Sequence, residues 1–379
     1  MKKLSVDRIK TIFSKKTIIK LAVACGCLLV VFAIRLYMSS RMSELHDQNA
    51  AARWTPGGGS AQISCFFKQD ANVTGDRIKE LLYNLDNALT EASIEADEEG
   101  AVKINYCYST IGTVSLSAGT RTVTLPAIGC GGDFFTFHPV QLVSGSFFSD
   151  DMLMQDAVIL DENSAWQLFG GNNIAGQTVY IDSVPHFVAG VVRSETGHLA
   201  EAAGLNGSMV YLTFDSMSRY GTGFRTGTMS EEGTGSESAS MQTLELLMPE
   251  PVKGFAKQLV TEKMGVSAES MIVVDNSRRF SYPSLYAVAT SFGTRSMQPS
   301  QTAYPYWENL ARGWEDVLAL CFVFQIVFLA AAVILLTEMI VNGYRHKKWT
   351  AAGLYESSRI FVYDLQARRK AYKEKWKYF

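Results

Sequence analysis

Two apolar runs near the ends of this 379-residue chain constrain its fold more than any other feature. The first is "TIIKLAVACGCLLVVFAIRLYM", Thr17–Met38, and the second is "VLALCFVFQIVFLAAAVILLTEMIV", Val317–Val341. A helix needs about 20 apolar residues to cross a hydrocarbon layer of about 30 Å, so each run is long enough. Lys20 and Arg35 sit near the ends of the first run, where long side chains reach the interface. What lies between and outside the runs must then sort itself to one side of a membrane or the other.

Charge supplies the sorting. Residues 1–16 carry Lys2, Lys3, Arg8, Lys10, Lys15 and Lys16 against one acid, Asp7. Residues 342–379 carry ten basic side chains against Glu356, Asp364 and Glu374. The segment between them holds 19 basic and 33 acidic residues, although the whole chain is only −2. Basic flanks belong on the cytoplasmic side. The expected protein is therefore a membrane protein that crosses twice. Its 1–16 and 342–379 termini are cytoplasmic, its spans are 17–38 and 317–341, and residues 39–316 are extracytoplasmic. This asymmetry fits membrane topology and not a nucleic-acid partner. A cleaved signal peptide would suit the basic start, but "IRLYMSSRM" offers no A-x-A site. A lipoprotein signal ending at Cys25 or Cys27 is opposed by the apolar run continuing past both, so an uncleaved anchor is expected. Cys65, Cys107 and Cys130 lie between the spans and leave two readings open, one disulfide plus a thiol or three buried thiols.

The central region reads as α+β. Residues 39–60 look like a linker ending in "TPGGGS". "AQISCFF" (Ala61–Phe67) reads as a strand, Asp76–Ala92 as a helix with Ile78, Leu81, Leu82, Leu85 and Leu89 on one face, and "VKINYCY" as a strand. A second such unit follows late: strand Thr243–Pro249, helix Pro251–Met264 with proline at its start, strand Met271–Asp275. Two β-α-β units predict a split, ferredoxin-like subdomain with a strand-rich insertion at about 125–240. Within it, "GTGFRTGTMSEEGTGSESAS" (Gly221–Ser240) reads as a loop or hairpin tip. "YPYWENLARGWEDVLAL" leads into the second span as an aromatic belt or a packed stalk.

One stretch invites a nucleotide-binding reading. "GNNIAGQT" (Gly171–Thr178) nearly spells a P-loop. A working P-loop follows a strand, opens a helix and carries a lysine. Here a helix pattern precedes, a strand pattern follows, and the lysine position holds Gln177. Without a helix N-terminus there is no stack of free N–H groups for an anion. The stretch reads instead as a glycine-bounded turn.

The wider stretch is more telling. "QLVSGSFFSDD", followed by "DAVILDENSAWQLFGGNNIAGQTVYIDSVPHFVAGVV" (Asp156–Val192), resembles the MacB-type periplasmic core domain. That family shows a "GR-F" segment and then an "aVlg…a..LFg…piGktv.i.g..f.VvGv" run. The resemblance covers Gln141–Val192 specifically and the rest of 39–315 loosely. It implies an outer domain with a ferredoxin-like porter part and a strand-rich sabre part, in the permease family of ABC transporters with an FtsX-like membrane domain, and hence a place in the bacterial cell (inner) membrane. In that family cytoplasmic ATP hydrolysis moves membrane helices, and these move the outer domain. Efflux, lipoprotein extraction or activation of a partner results.

Family permeases have four membrane helices, and this sequence reads as a member lacking the last two. Thr337–Arg359 resembles the charged segment after the family's second helix. The resemblance therefore implies contact with an ABC ATPase or a full-length permease through Tyr344, Arg345, Lys347, Lys348, Trp349, Leu354 and Tyr355. The closing segment interleaves basic and aromatic residues. Arg368, Arg369, Lys370, Lys373 and Trp376 would lie on anionic lipid, against the alternative of a solvated basic tail. A homo- or heterodimer fits two helices per chain. The expected function is a non-enzymatic permease-like subunit. The alternative is a doubly anchored extracytoplasmic binding or scaffold protein without ATP coupling.

No catalytic residue, cofactor or metal is expected from spacing. The chain contains no GxxxxGK[ST], and His46, His138, His186, His198 and His346 are scattered without a ligand motif. "LDEN" (Leu160–Asn163) reads as a helix cap and not as an acid–base pair. Glu338, near the inner end of the second span, would be wetted or paired with Arg345.

Overall fold

The computed structural model describes residues 15–68, 71–94, 103–150, 152–194, 208–224, 240–292 and 304–345, with single positions at 199, 201, 203, 359 and 363. The chain divides into two units. One comprises Met1–Leu36 with Phe324–Phe379, the other Tyr37–Val323.

The elements follow from the apolar patterns. Helix α1 is Lys15–Glu44, and a short helix α2, Ala50–Trp54, comes after a single turn at His46–Gln48. The stretch expected as a linker is thus helical to Trp54. Ala50 and Ala51 are buried, and the Ala50 amide donates to Gln62 Oε1 at 2.9 Å. Strand β1 (Ser60–Phe67), helix α3 (Gly75–Glu91) and strand β2 (Asn105–Ala118) form the first β-α-β unit. Ile78, Leu81, Leu85 and Leu89 of α3 are all buried, as their spacing requires.

Strand β3 (Arg121–Gly132) and helix α4 (Phe134–Phe137) come next, then strands β4 (Leu142–Gly145) and β5 (Ala157–Asp161). Helix α5 (Glu162–Phe169) is capped by Asp161, whose side chain accepts from the Ser164 amide at 2.9 Å. It closes at Gly170, in the left-handed region at φ 79°. Strands β6 (Thr178–Ile181), β7 (Val184–Val192) and β8 (Val210–Thr213) follow, then helix α6 (Phe214–Tyr220). The near-P-loop is therefore a turn between α5 and β6, and residues 225–239 of the expected Gly221–Ser240 tip lie outside the described residues.

The second β-α-β unit is β9 (Thr243–Pro249), α7 (Phe255–Lys263) and β10 (Met271–Asp275). Helix α7 starts four residues later than Pro251, behind Gly254. Helix α8 is Tyr282–Thr290 and α9 is Tyr306–Arg345. Both α1 and α9 are long and apolar enough to cross a membrane. The 40 residues of α9 make about 60 Å of helix, twice what a hydrocarbon layer needs.

All ten strands share one sheet, in the order β10-β1-β9-β2-β3-β8-β5-β7-β4. The strands of the two β-α-β units take the order 4-1-3-2 and are antiparallel throughout. Beyond them β6 pairs with both β2 and β7, so β2, β3, β8, β5, β7 and β6 close on themselves. Val114, Leu116, Leu125, Val158, Leu160, Val188 and Leu212 pack in one cluster belonging to that ring. A second core, including Ile63, Leu85, Leu246 and Val260, lies between the four-stranded part and helices α3 and α7. Strand β1 is buried at every position from Ala61 to Phe67, so its other face is covered too.

Candidate functional site

The covered face of β1 carries polar residues where apolar ones would be expected. Ser64 of β1, Glu245 of β9 and Cys107 of β2 lie side by side in register. Side chains alternate along a strand, so these three point to the face opposite Cys65, Leu244 and Leu246. Glu245 is 1% exposed, and a lone carboxylate there would be severely destabilising. It is not alone. Ser64 Oγ donates to it at 2.5 Å, and His138 Nε2 donates to its other oxygen.

His138 joins three segments. Its Nδ1 is 2.9 Å from Asp47 Oδ1, in the turn that follows α1. Its ring lies 4.1 Å from Trp307 of α9 and 4.7 Å from Phe134 of α4. Burial works against a charge on this fully enclosed imidazole. Glu245 and Asp47 outweigh it and lift His138 to about 9, so it is an imidazolium at neutral pH.

The chain of bonds continues past Ser64. Asn276 Nδ2 donates to Ser64 Oγ at 2.7 Å, and Arg279 Nη1 donates to Asn276 Oδ1 at 3.2 Å. Arg279 is buried. Its two terminal nitrogens grip Glu308 at 2.5 and 2.7 Å, and its Nε donates to Glu315. Burial pulls its pKa down, but these two carboxylates more than compensate and hold it above the usual arginine value. Arg312 Nε reaches the same Glu308 at 2.6 Å and lies 4.1 Å over the Tyr304 ring, which meets Phe66 of β1 edge-on. Glu308, Arg312 and Glu315 are spaced i, i+4, i+7 on the first turns of α9, on one face.

The result is one connected path: Asp47, His138, Glu245, Ser64, Asn276, Arg279, Glu308, Arg312. It ties the turn after α1, the four-stranded part and the root of α9 together. Gln48 adds a bond to the Trp307 carbonyl at 3.2 Å, and Arg41 of α1 faces the Trp314 ring at 5.8 Å. Charged, fork-shaped pairs of this kind fix geometry more than they add stability. The arrangement is a joint that fixes the first turns of α9 and the turn after α1 to the sheet.

None of these residues was singled out by spacing, because the partners of His138 are 91 and 107 residues away. Two signals were present. Glu245 is the one charge in the strand "TLELLMP", and "ENLARGWE" has the i, i+4, i+7 spacing just described. Of the tail residues expected to contact a partner, Tyr344 and Arg345 end α9 and are exposed. Lys347, Lys348, Trp349, Leu354, Tyr355, Arg368, Arg369, Lys370, Lys373 and Trp376 lie outside the described residues. Glu338 pairs with Lys20 of α1, not with Arg345, which joins the two helices of that unit. Cys65, Cys107 and Cys130 are free and buried, which decides the question left open by their number.

The MacB-like periplasmic core domain family matches residues 17–246. The macrolide export ATP-binding/permease protein MacB of Shewanella oneidensis is 30% identical over 109 residues, 27% of this chain and 16% of that protein. The protein of the same name in Chromobacterium violaceum is 40% identical over 72 residues, 18% of this chain and 11% of that protein. The matched stretch thus spans under a fifth of either relative's own length. The crystal structure of the periplasmic region of MacB from Actinobacillus actinomycetemcomitans aligns with a TM-score of 0.38 at 16% identity, over 64% of this chain and 96% of that one.

Proposed function

The chain belongs to the MacB-like periplasmic core domain family, and on that premise we propose that it is a non-enzymatic, permease-like subunit of a bacterial ABC transporter assembly. Helices α1 and α9 cross the cell membrane with both ends cytoplasmic, and residues 39–316 stand outside. A separate ATPase, a full-length permease, or both, engage the segment Tyr344–Arg359, and ATP-driven movement there travels up α9. The basic termini rest on anionic lipid, and two or more chains associate.

The observation that carries this reading is the buried path from Asp47 to Arg312. A subunit that only anchored a binding domain would be served by a flexible tether. A lever needs its root fixed to its load, and here the turn after α1 and the first turns of α9 are tied by charged, largely buried side chains to the face of one sheet. We read the 4-1-3-2 strands with α3 and α7 as the ferredoxin-like porter part, and the closed ring of strands as the sabre part.

Affinity purification of the tagged full chain from its native membranes, in mild detergent, tests the proposal. An ABC ATPase or a four-helix permease should co-purify, and replacing Tyr344–Arg359 by a neutral linker should remove it. Co-purification unchanged by that replacement would sink the assigned contact. Recovery of neither protein with an intact chain would instead make this an anchored binding module.

A further inference from the structure

The same buried face holds a donor set that the joint does not use in full. Cys107 Sγ, a nitrogen of His138 and a carboxylate oxygen of Glu245 all lie within 4.8 Å of one another, and each residue is fully enclosed. We propose that Cys107, His138 and Glu245 form a zinc site, with Asp47 orienting the imidazole from behind. This does not rest on the transporter reading and would stand if that failed.

Two observations carry it. The first is the donor chemistry. Thiolate, imidazole and carboxylate are the mixed set that zinc takes, and few other cations accept all three. Tetrahedral bonds of about 2.0–2.3 Å put donors about 3.5 Å apart. Side-chain shifts of about an ångström therefore suffice to admit the ion, without moving β2 or β9. The second is the outer partner. A metal-bound histidine ordinarily passes its other N–H to a carboxylate, which sets the tautomer. His138 has that arrangement already, with Nδ1 on Asp47 and Nε2 directed at Glu245.

The exchange also balances in charge. With no metal, a protonated thiol, an imidazolium and two carboxylates leave one net negative charge in the enclosure. With zinc, a thiolate, a neutral imidazole, two carboxylates and the dication leave the same. One Zn²⁺ enters and two protons leave, one from Cys107 Sγ and one from His138 Nε2. Spacing could not reveal the site because the donors come from β2, β9 and the turn after α4.

The site is sealed, so metal is supplied while the chain folds. The test is the full chain, expressed with zinc or with cobalt(II) in the medium and purified in detergent. Elemental analysis should find about one metal per chain, and the cobalt form should show a thiolate-to-cobalt charge-transfer band. C107S and H138Q should lose the metal. D47N should bind it about 10–100-fold more weakly. C65S, on the other face of β1, should keep it. Circular dichroism and gel filtration check that each chain is folded. A folded wild-type chain that carries no metal, or metal retained in full by C107S, overturns the proposal. If C107S and H138Q do not fold, the charge-transfer band and the weakening in D47N decide it alone.

Discussion

Replacing Arg279 by methionine should lower the unfolding free energy of the Tyr37–Val323 unit by about 3–5 kcal/mol, the usual effect of removing one partner from a buried pair. The guanidinium is the shared counter-ion of Glu308 and Glu315, and both carboxylates sit where water cannot replace it. Arg312 remains beside Glu308. Methionine keeps the bulk and removes the charge, so the loss is electrostatic and not a cavity. For a unit of this size the shift is on the order of 10 °C in thermal unfolding, read by circular dichroism in fixed detergent. The triple variant R279M/E308Q/E315Q separates the two meanings of the joint. With these three charges gone only Arg312 loses an ionic partner, and it keeps the Tyr304 ring and some contact with solvent, so at least half of the lost stability should return. If R279M unfolds within about 1 kcal/mol of wild type, the pair is not enclosed as described. If stability returns in the triple variant while partner-dependent ATPase stimulation does not, the charges serve coupling and not folding.

The contrast between what was and was not legible follows from the range of the forces involved. Strands β9 and β10 have the bounds their apolar runs predict. Each is short, bounded by glycine, proline or a cap, and decided by neighbours a few residues away. The 39–60 stretch misled because "TPGGGS" is turn-forming, yet what precedes it is alanine-rich helix anchored by Gln62 from the next strand. The closure of the ring escaped for a similar reason. It depends on Leu116 and Ser117 meeting Ile181 and Tyr180, and alternation of apolar residues does not name a partner strand. The ionic joint was the least legible part. An isolated glutamate in a strand looks like an exposed side chain until His138 is brought to it by α4, and no pairwise spacing encodes that meeting. The same holds for Lys20 and Glu338, which sit at opposite ends of the chain.

The stretch that carried the family resemblance makes a second large prediction, and it turns on which of its glycines meet other atoms. Gly145 has φ 80° and pairs with Gly190 across β4 and β7. A Cβ at Gly145 would lie 2.1 Å from the Ala189 carbonyl oxygen and 2.7 Å from the Gly190 Cα, both backbone atoms that cannot swing away. G145A should therefore cost about 3 kcal/mol or more, from left-handed strain and overpacking together. It should also loosen β4, an edge strand of only four residues. Gly176 has φ 84° but nothing within 4 Å of a Cβ, so G176A should cost only the conformational penalty, about 1–2 kcal/mol. Gly171, inside the near-P-loop, has neither a positive φ nor a neighbour within 4 Å, and G171A should fall within about 0.5 kcal/mol of wild type. Denaturant midpoints of the three variants measure this ladder. A neutral G145A would mean that β4 is not held against β7 as described. A G171A as harmful as G145A would mean that "GNNIAGQT" does something beyond turning the chain from α5 into β6, and would reopen a ligand at that turn.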